Sequence, residues 1–386
     1  MAMLAILAAA LSLAGIGNAL AGWLVARRFA RALAAPPPAS LLPPVSVLKP
    51  LYGEEPLLEE ALASFCAQDY PAMQIVFGVQ HAADPAAAVV ARLQRRFPDR
   101  DLTLVVDPTR HGSNGKIGNL INMLPAARHD ILVIADADMH AAADHLRRVV
   151  ATLCTPGTGL VTALYTARPA NRSLAARLGA TQITHGFLPG ALLARALGRR
   201  DCFGATMALR RETLAAIGGL AALAGRLADD AALGQLVAAT GLAVALAPSL
   251  PATTVPEPTL RALLRHELRW ARTVRSLAPL GFAASAVQYP LAWAALAVIA
   301  SAGTAWTLLL AASAWAARAA TVRGIDRSLG LAPIVPLWLL PPRDLLSLGM
   351  IVASFLGDRV QWRGQLMAVD RPGPLRHGMP VGKEAA

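Results

Sequence analysis

Residues 1–26 carry no Asp, Glu, Lys or Arg, and neither do residues 276–317. A helix needs roughly 20 apolar residues to cross a bilayer. The first stretch is therefore one crossing long, and the second can hold two short ones. Of the 386 residues, 55% are hydrophobic and only 16% charged, part of the apolar excess being alanine. The length allows about two or three domains. The chain reads as a membrane protein with a soluble domain between its membrane parts.

The cations set the orientation. The start lacks the basic region of a signal peptide, and Arg27, Arg28 and Arg31 follow the first stretch. The positive-inside rule places the amino terminus outside and the next domain in the cytoplasm, so residues 1–26 read as an uncleaved anchor. Arg318, Arg323 and Arg327 follow the second stretch. A hairpin of two spans over 279–317, turning near 300–304, returns them to the cytoplasm. Residues 329–357 are apolar but interrupted by Pro341-Pro342-Arg343-Asp344, which reads as a re-entrant or interfacial segment because charge at mid-depth is costly. A basic, Pro-rich linker spans 27–44, and residues 358–386 form a cytosolic tail, frayed from Arg371.

Between the membrane parts, residues 45–258 alternate strands and helices. Apolar runs predict strands over 45–48, 73–79, 102–106, 131–135, 159–165, 203–209 and 242–247. Helices are predicted over 54–68, 85–97, 117–124, 143–153, 173–197 (with a break at Pro189), 211–217 and 226–239. This rhythm argues for an α/β domain with a parallel-rich sheet covered on both faces. No GxGxxG follows the first strand, which disfavours a dinucleotide fold.

The strand at 131–135 runs straight into Asp136 and Asp138, as DILVIADADMH. Ligands of open α/β sheets bind beyond the carboxyl ends of strands. Two acids there can hold a hard cation that keeps waters and is shared with a substrate phosphate. Alone, such acids more often end a strand or cap a helix. Here they are joined by Asp84 after the second strand and by Asp229-Asp230 at a helix start. Lys116, in a Gly-rich loop before a helix, is a candidate for phosphate contact, whereas Lys49 reads as a solvated lysine. Hard cations prefer oxygen, so His111 and His140 read as loop histidines. Asp229 reads as a helix cap.

Residues 259–276 form a basic amphipathic helix, with Arg261, Arg265, Arg269, Arg272 and Arg275 on one face. It suits a membrane surface, and its arginine forks suit a diphosphate. The net charge of +12 comes without any nucleic-acid motif, so nucleic acid is not an expected partner. Three scattered cysteines, Cys66, Cys154 and Cys202, fit reduced thiols rather than a disulfide frame or zinc site. Carboxylates, cations and a divalent metal together suit sugar transfer from a nucleotide diphosphate, in which a base removes the acceptor proton. A glycosidase would instead flank the bond with two carboxyls and no metal. A non-catalytic lipid-binding protein would not need both acidic stations, and a processive synthase would need more spans to form a channel.

Several motifs, in order, carry a resemblance: SVLKPLYGEE (46–55), QDYP (68–71), VQHAADPA (79–86), GSNGKIGNL (112–120), the DAD, GATMALRRETLAAIGGL (204–220), ADDAALG (228–234) and HELRW (266–270). Over roughly residues 40–280 the chain resembles the ceramide glucosyltransferases and their bacterial relatives. HGSNGKIGNLINM and RVQWRG look most like the hopanoid-biosynthesis-associated glycosyltransferases. The resemblance implies a GT-A nucleotide-sugar-binding domain with transmembrane helices at both ends, in a multi-pass protein of the bacterial inner membrane. It also implies an inverting, UDP-sugar-dependent lipid hexosyltransferase that uses a divalent cation, Mg²⁺ or Mn²⁺. N-acetylglucosamine and a bacteriohopane polyol are the implied sugar and lipid, and UDP-glucose with ceramide is the alternative. The same likeness assigns Asp84 to the nucleotide, Asp136 and Asp138 to the metal, Asp230 to the base, and His266, Arg269 and Trp270 to a (Q/R)xxRW motif over diphosphate and acceptor. His266 departs from that pattern, and His81 stands where animal ceramide enzymes carry an acid.

Overall fold

The computed structural model describes residues 1–35, 42–334, 336–357, 359–362 and 365–368. Part of the expected linker, 36–41, and the tail from Arg371 lie outside the described residues. In chain order the principal elements are α1 (Ala2–Ala34), β1 (Val45–Pro50), α2 (Leu58–Cys66), β2 (Met73–Val79), α3 (Pro85–Arg96), β3 (Asp101–Val106), α4 (Gly115–Met123), β4 (Ile131–Ala135), β5 (Met139–His140), α5 (His145–Leu153), β6 (Thr158–Thr162) and β7 (Thr166–Pro169). They continue with α6 (Leu174–Gln182), α7 (Leu188–Ala196), β8 (Thr206–Arg210), α8 (Arg211–Ala216), α9 (Asp229–Ala239), β9 (Ala243–Leu246), β10 (Ala252–Val255), α10 (Leu260–Leu277), α11 (Pro279–Ala284), α12 (Pro290–Ala300), α13 (Ala305–Leu329), α14 (Leu340–Ser354), β11 (Arg359–Trp362) and β12 (Gln365–Ala368).

Two units form. One holds 42–164 and 200–254; the other holds 1–35, 165–199 and the described residues from 255 onward. Residues 165–199, read from the sequence as part of the α/β domain, thus group with the apolar helices.

The first unit is built on a seven-stranded sheet in the order β3-β2-β1-β4-β8-β6-β9. Strands β1 to β4 run parallel, and β8 is antiparallel to both its neighbours. Every residue of β1, β2 and β4 is buried, the signature of strands covered on both faces. One core cluster packs Leu48, Val76, Leu132 and Ile134 of the sheet against Ile117, Leu120 and Met123 of α4. Gly78 makes that packing possible, since a Cβ there would lie 2.4 Å from the Met123 side chain. Asn119 ties α4 down by donating to the Gly78 carbonyl at 2.8 Å. The short β5 pairs with β10 just past the acids of the DAD.

The second unit is mostly helical. Its α1 is continuous through Arg27, Arg28 and Arg31 to Ala34, eight residues beyond the expected anchor. It is the one described helix long and apolar enough to cross a membrane by itself. Glycines seat it closely: a Cβ on Gly15 would meet the Val287 carbonyl at 2.5 Å, and one on Gly22 would meet Pro189 at 3.1 Å. The expected turn near 300–304 falls between α12 and α13. Residues 279–288 and 290–300 pass the same test only as a pair, bent by 72°. With 11 residues, α12 reaches about 16 Å, roughly half the ~30 Å of a hydrocarbon core.

Nor does Pro341-Pro342 interrupt a helix. Both prolines sit in the first turn of α14, where the missing N–H costs nothing. Arg343 is fully buried and makes a bidentate pair with Glu267 at 2.7 and 2.8 Å. Pro189 ends no helix either. It follows a π turn at Ile183–Phe187, and the His185 carbonyl, which Pro189 cannot satisfy, accepts from Arg318 at 3.1 Å.

Candidate active site

The α/β unit brings most of the predicted acids to one end of β4. Asp136 follows the strand directly, and its backbone N–H donates to the Ala205 carbonyl at 3.2 Å. Its carboxylate is about one-third exposed and takes Lys116 Nζ at 2.6 Å. Asp138 accepts from the Thr253 hydroxyl, while its carbonyl accepts from Thr254 N–H at 3.1 Å. Burial raises the Asp138 carboxyl pKa, Asp136 adds to the rise, and Thr253 opposes it.

Lys116 is the hub. It sits in the first turn of α4, whose N-cap Asn114 accepts from the N–H groups of Lys116 and Ile117 at 3.0 and 3.1 Å. The Asn114 amide donates to the Arg226 carbonyl at 2.8 Å and to Asp229 at 3.3 Å. Asp229 also lies 3.8 Å from Lys116. One ammonium thus bridges the DAD and the start of α9. Burial works against that charge, but Asp136 and Asp229 outweigh it and the pKa rises. Gly112, at φ +80°, lets the preceding loop approach Ala224, whose carbonyl a Cβ would meet at 2.6 Å.

Asp229 is therefore not a cap. The N-cap of α9 is Ala228, with no side-chain bond. Asp229 is buried, and among the described residues its Oδ2 has no hydrogen-bond donor within reach. Asp230 is half-buried, accepting from Gly204 N–H at 2.9 Å and from Ala231 N–H at 2.8 Å. Gly204 lets the backbone come close, since a Cβ there would stand 3.2 Å from the carboxylate. Burial and then Asp229 push the Asp230 carboxyl up to about 6, against Lys116 and the two N–H donors.

Two predictions need revising or refining. Lys49 is not solvated: it is fully buried, donates to the Asp136 carbonyl at 2.7 Å and lies over the Phe65 ring. Burial lowers its pKa to about 7, against the pull of Asp138 and Asp136. The predicted strand 45–48 stops one residue short of Lys49, whereas β1 runs on to Pro50 with every residue buried. Asp84 caps α3 by accepting from Ala86 N–H at 2.9 Å, and it accepts from Gly53 N–H at 3.0 and 3.1 Å.

On the helical unit, α10 is capped by Thr259 and carries His266, Arg269 and Trp270. His266 Nδ1 bonds to Glu257, a residue the sequence reading did not single out. The His266 ring meets Trp270 edge-on at 5.4 Å. Of the five arginines, Arg261 and Arg265 are exposed, whereas Arg269, Arg272 and Arg275 are half-buried.

Among the described residues, no three His, Cys, Asp or Glu side chains converge into a closed metal cage. The hard oxygens of Asp136 and Asp138 fit an open cation site completed by phosphate. Lys116 on Asp136 shows that this carboxylate takes positive charge.

The mannosyltransferase PcManGT from Pyrobaculum calidifontis, solved with GDP-Man and Mn²⁺, is 25% identical with a TM-score of 0.52, over 92% of this chain and 98% of that one. The architecture is of the GT-A type, an α/β fold with a mostly parallel sheet. The chain belongs to glycosyl transferase family 21, whose model matches residues 7–375. A ceramide glucosyltransferase of Komagataella phaffii is 32% identical over 113 residues, 28% of this chain and 22% of its own length. Ceramide glucosyltransferase 3 of Caenorhabditis elegans is 23% identical over 246 residues, 62% of this chain and 52% of its own. The chain thus matches between about a fifth and a half of the length of these relatives.

Proposed function

We propose that the protein transfers a sugar, N-acetylglucosamine, from UDP to a hydroxyl of a membrane lipid, a bacteriohopane polyol, with inversion at the anomeric carbon. The observation that carries this reading is the Lys116 bridge, which joins the DAD acids to the acids of α9 within one unit. Nucleotide and metal chemistry at Asp136 and base chemistry at Asp230 then share one site. The GDP-Man and Mn²⁺ of the archaeal mannosyltransferase support a nucleotide-sugar donor and a divalent cation. The ceramide relatives support a lipid acceptor, and they favour ceramide with UDP-glucose as the second reading.

In this proposal Asp136 and Asp138 hold Mg²⁺ or Mn²⁺, which when bound offsets charge on the diphosphate leaving group. Lys116 moves its ammonium to a phosphate oxygen, and Asp84 serves the nucleotide. Asp230 takes the proton of the acceptor hydroxyl as the new oxygen–carbon bond forms and the anomeric carbon–phosphate oxygen bond breaks. The diphosphate leaves with that electron pair. His266, Arg269 and Trp270 contact substrate from α10, and α1 anchors the protein in the bacterial inner membrane with the α/β unit in the cytoplasm. Lipid mass spectrometry tests the reading in a hopanoid-producing host that lacks the gene. Restoring the gene should restore an N-acetylhexosamine-bearing polyol, whereas a hexosylceramide would select the second reading.

A further inference from the structure

Asn114 is wholly buried, and it uses every hydrogen-bonding position that a side-chain amide has. Its Oδ1 accepts from the backbone N–H groups of Lys116 and Ile117, which open α4, at 3.0 and 3.1 Å. Its Nδ2 donates to the Arg226 carbonyl at 2.8 Å and to Asp229 Oδ1 at 3.3 Å. The N–H groups demand an oxygen, and the carbonyl and carboxylate demand an NH₂, so the amide sits only one way round. Capping α4 requires the oxygen alone, which serine or aspartate would supply as well.

The NH₂ half serves α9. That helix begins without a side-chain cap of its own. Besides its two amide bonds there, Asn114 donates its backbone N–H to the Ala224 carbonyl at 2.9 Å, so all three bonds hold the segment that leads into α9. Lys116 approaches the other oxygen of Asp229 at 3.8 Å. Asp229 is thus held from the start of α4 at both oxygens. Neighbours on a helix point about 100° apart, so fixing Asp229 fixes the direction in which Asp230 leaves the first turn.

We propose that Asn114 is a positioning residue for the reaction, acting through Asp229 to aim the Asp230 carboxylate at the acceptor hydroxyl. It ties the donor-side start of α4 to the base-bearing start of α9. This rests on the glycosyltransferase reading, in which Asp230 is the base, and adds the residue that orients that base. No smaller set of groups does the same: aspartate would turn a second oxygen toward the Arg226 carbonyl and Asp229, and serine has no NH₂ to reach them.

Transfer from UDP-N-acetylglucosamine to lipid by the full chain in nanodiscs at pH 8 tests it. The variants are Asn114→Asp, Asn114→Ser, Asp229→Asn and the exchanged pair Asn114→Asp/Asp229→Asn. Asn114→Asp keeps the cap of α4, so KM for the donor should barely change. Its kcat should fall at least about tenfold, the worth of one hydrogen bond to a carboxylate. Asp229→Asn keeps an oxygen for the amide and should stay active. In the exchanged pair the amide at 229 donates to the carboxylate at 114, the same bond with its ends reversed, and kcat should recover most of the loss. A normal kcat in Asn114→Asp, a donor KM that rises in step with the fall in kcat, or an exchanged pair no better than Asn114→Asp would overturn the proposal. If melting curves show that Asn114→Asp does not fold, Asn114→Ser decides: a kcat loss at unchanged donor KM supports the role, and a normal kcat overturns it. Absence of transfer by the wild-type protein itself would count instead against the parent reading.

Discussion

Asp230 is the residue whose proposed role makes the sharpest demand on pH. Its carboxyl must be ionised to accept a proton, and the fold raises its pKa to about 6. The sign follows: activity is present above that value and is lost as pH falls through it. The ionised fraction is about 0.9 at pH 7, about 0.5 at pH 6 and about 0.1 at pH 5, so kcat/KM should fall by roughly tenfold between pH 7 and pH 5. Asp229 is the second cause of the raised value, after burial. Asp229→Asn should therefore move the acid limb to lower pH while turnover at pH 7 survives. Asp230→Asn should remove the limb and cost at least about 10²-fold in kcat, with UDP-sugar binding retained. Radiolabelled transfer to lipid, measured from pH 5 to 8 at subsaturating donor, reads all three. A wild-type profile flat through pH 6 would refute the reasoning, as would an active Asp230→Asn. If Asp230→Asn loses UDP-sugar binding instead, Asp230 belongs to the donor site and the base lies elsewhere.

Other outcomes follow from the same contacts. Lys49→Met removes the bond to the Asp136 carbonyl but also relieves a buried charge, so transfer should drop at least about tenfold while the melting temperature moves little; a large fall in stability with normal kinetics would contradict this. Arg343→Met strands Glu267 and should destabilise the helical unit by roughly 3–5 kcal/mol in detergent unfolding, with partial recovery in the Arg343→Met/Glu267→Gln pair. Reporters fused at Ala35 and at Gly330 should both read as cytoplasmic, and opposite sides would contradict the proposed topology.

The parts of the fold legible in the sequence are those whose residues answer to one local rule. The strand 73–79 and the strand 131–135 match the structure to the residue, because strands buried on both faces leave an unbroken apolar run. Strands β5, β7 and β10 were missed; at two to four residues they are too short to show a period. The DAD and the α9 acids could be read as stations, but their link through Lys116 and Asn114 joins positions over 110 apart, which no spacing encodes. The Asp229 cap reading failed for the same reason: a long-range cation and amide took the side chain that a local rule gave to the helix end. Glu257 lies nine residues before its histidine, across a helix start, where no helical periodicity pairs them. Hydropathy also counts apolar residues without seeing the bend at Tyr289 that separates 279–288 from 290–300.

The central claim is metal-dependent sugar transfer at the DAD. Its most direct measurement is transfer from UDP-N-acetylglucosamine to lipid by the purified protein, with and without chelator, beside Asp136→Ala and Asp138→Ala. The account predicts loss of transfer in chelator, restoration by Mn²⁺ or Mg²⁺ in the wild type only, and folded but inactive variants. Full transfer in chelator, or by either variant, would contradict it.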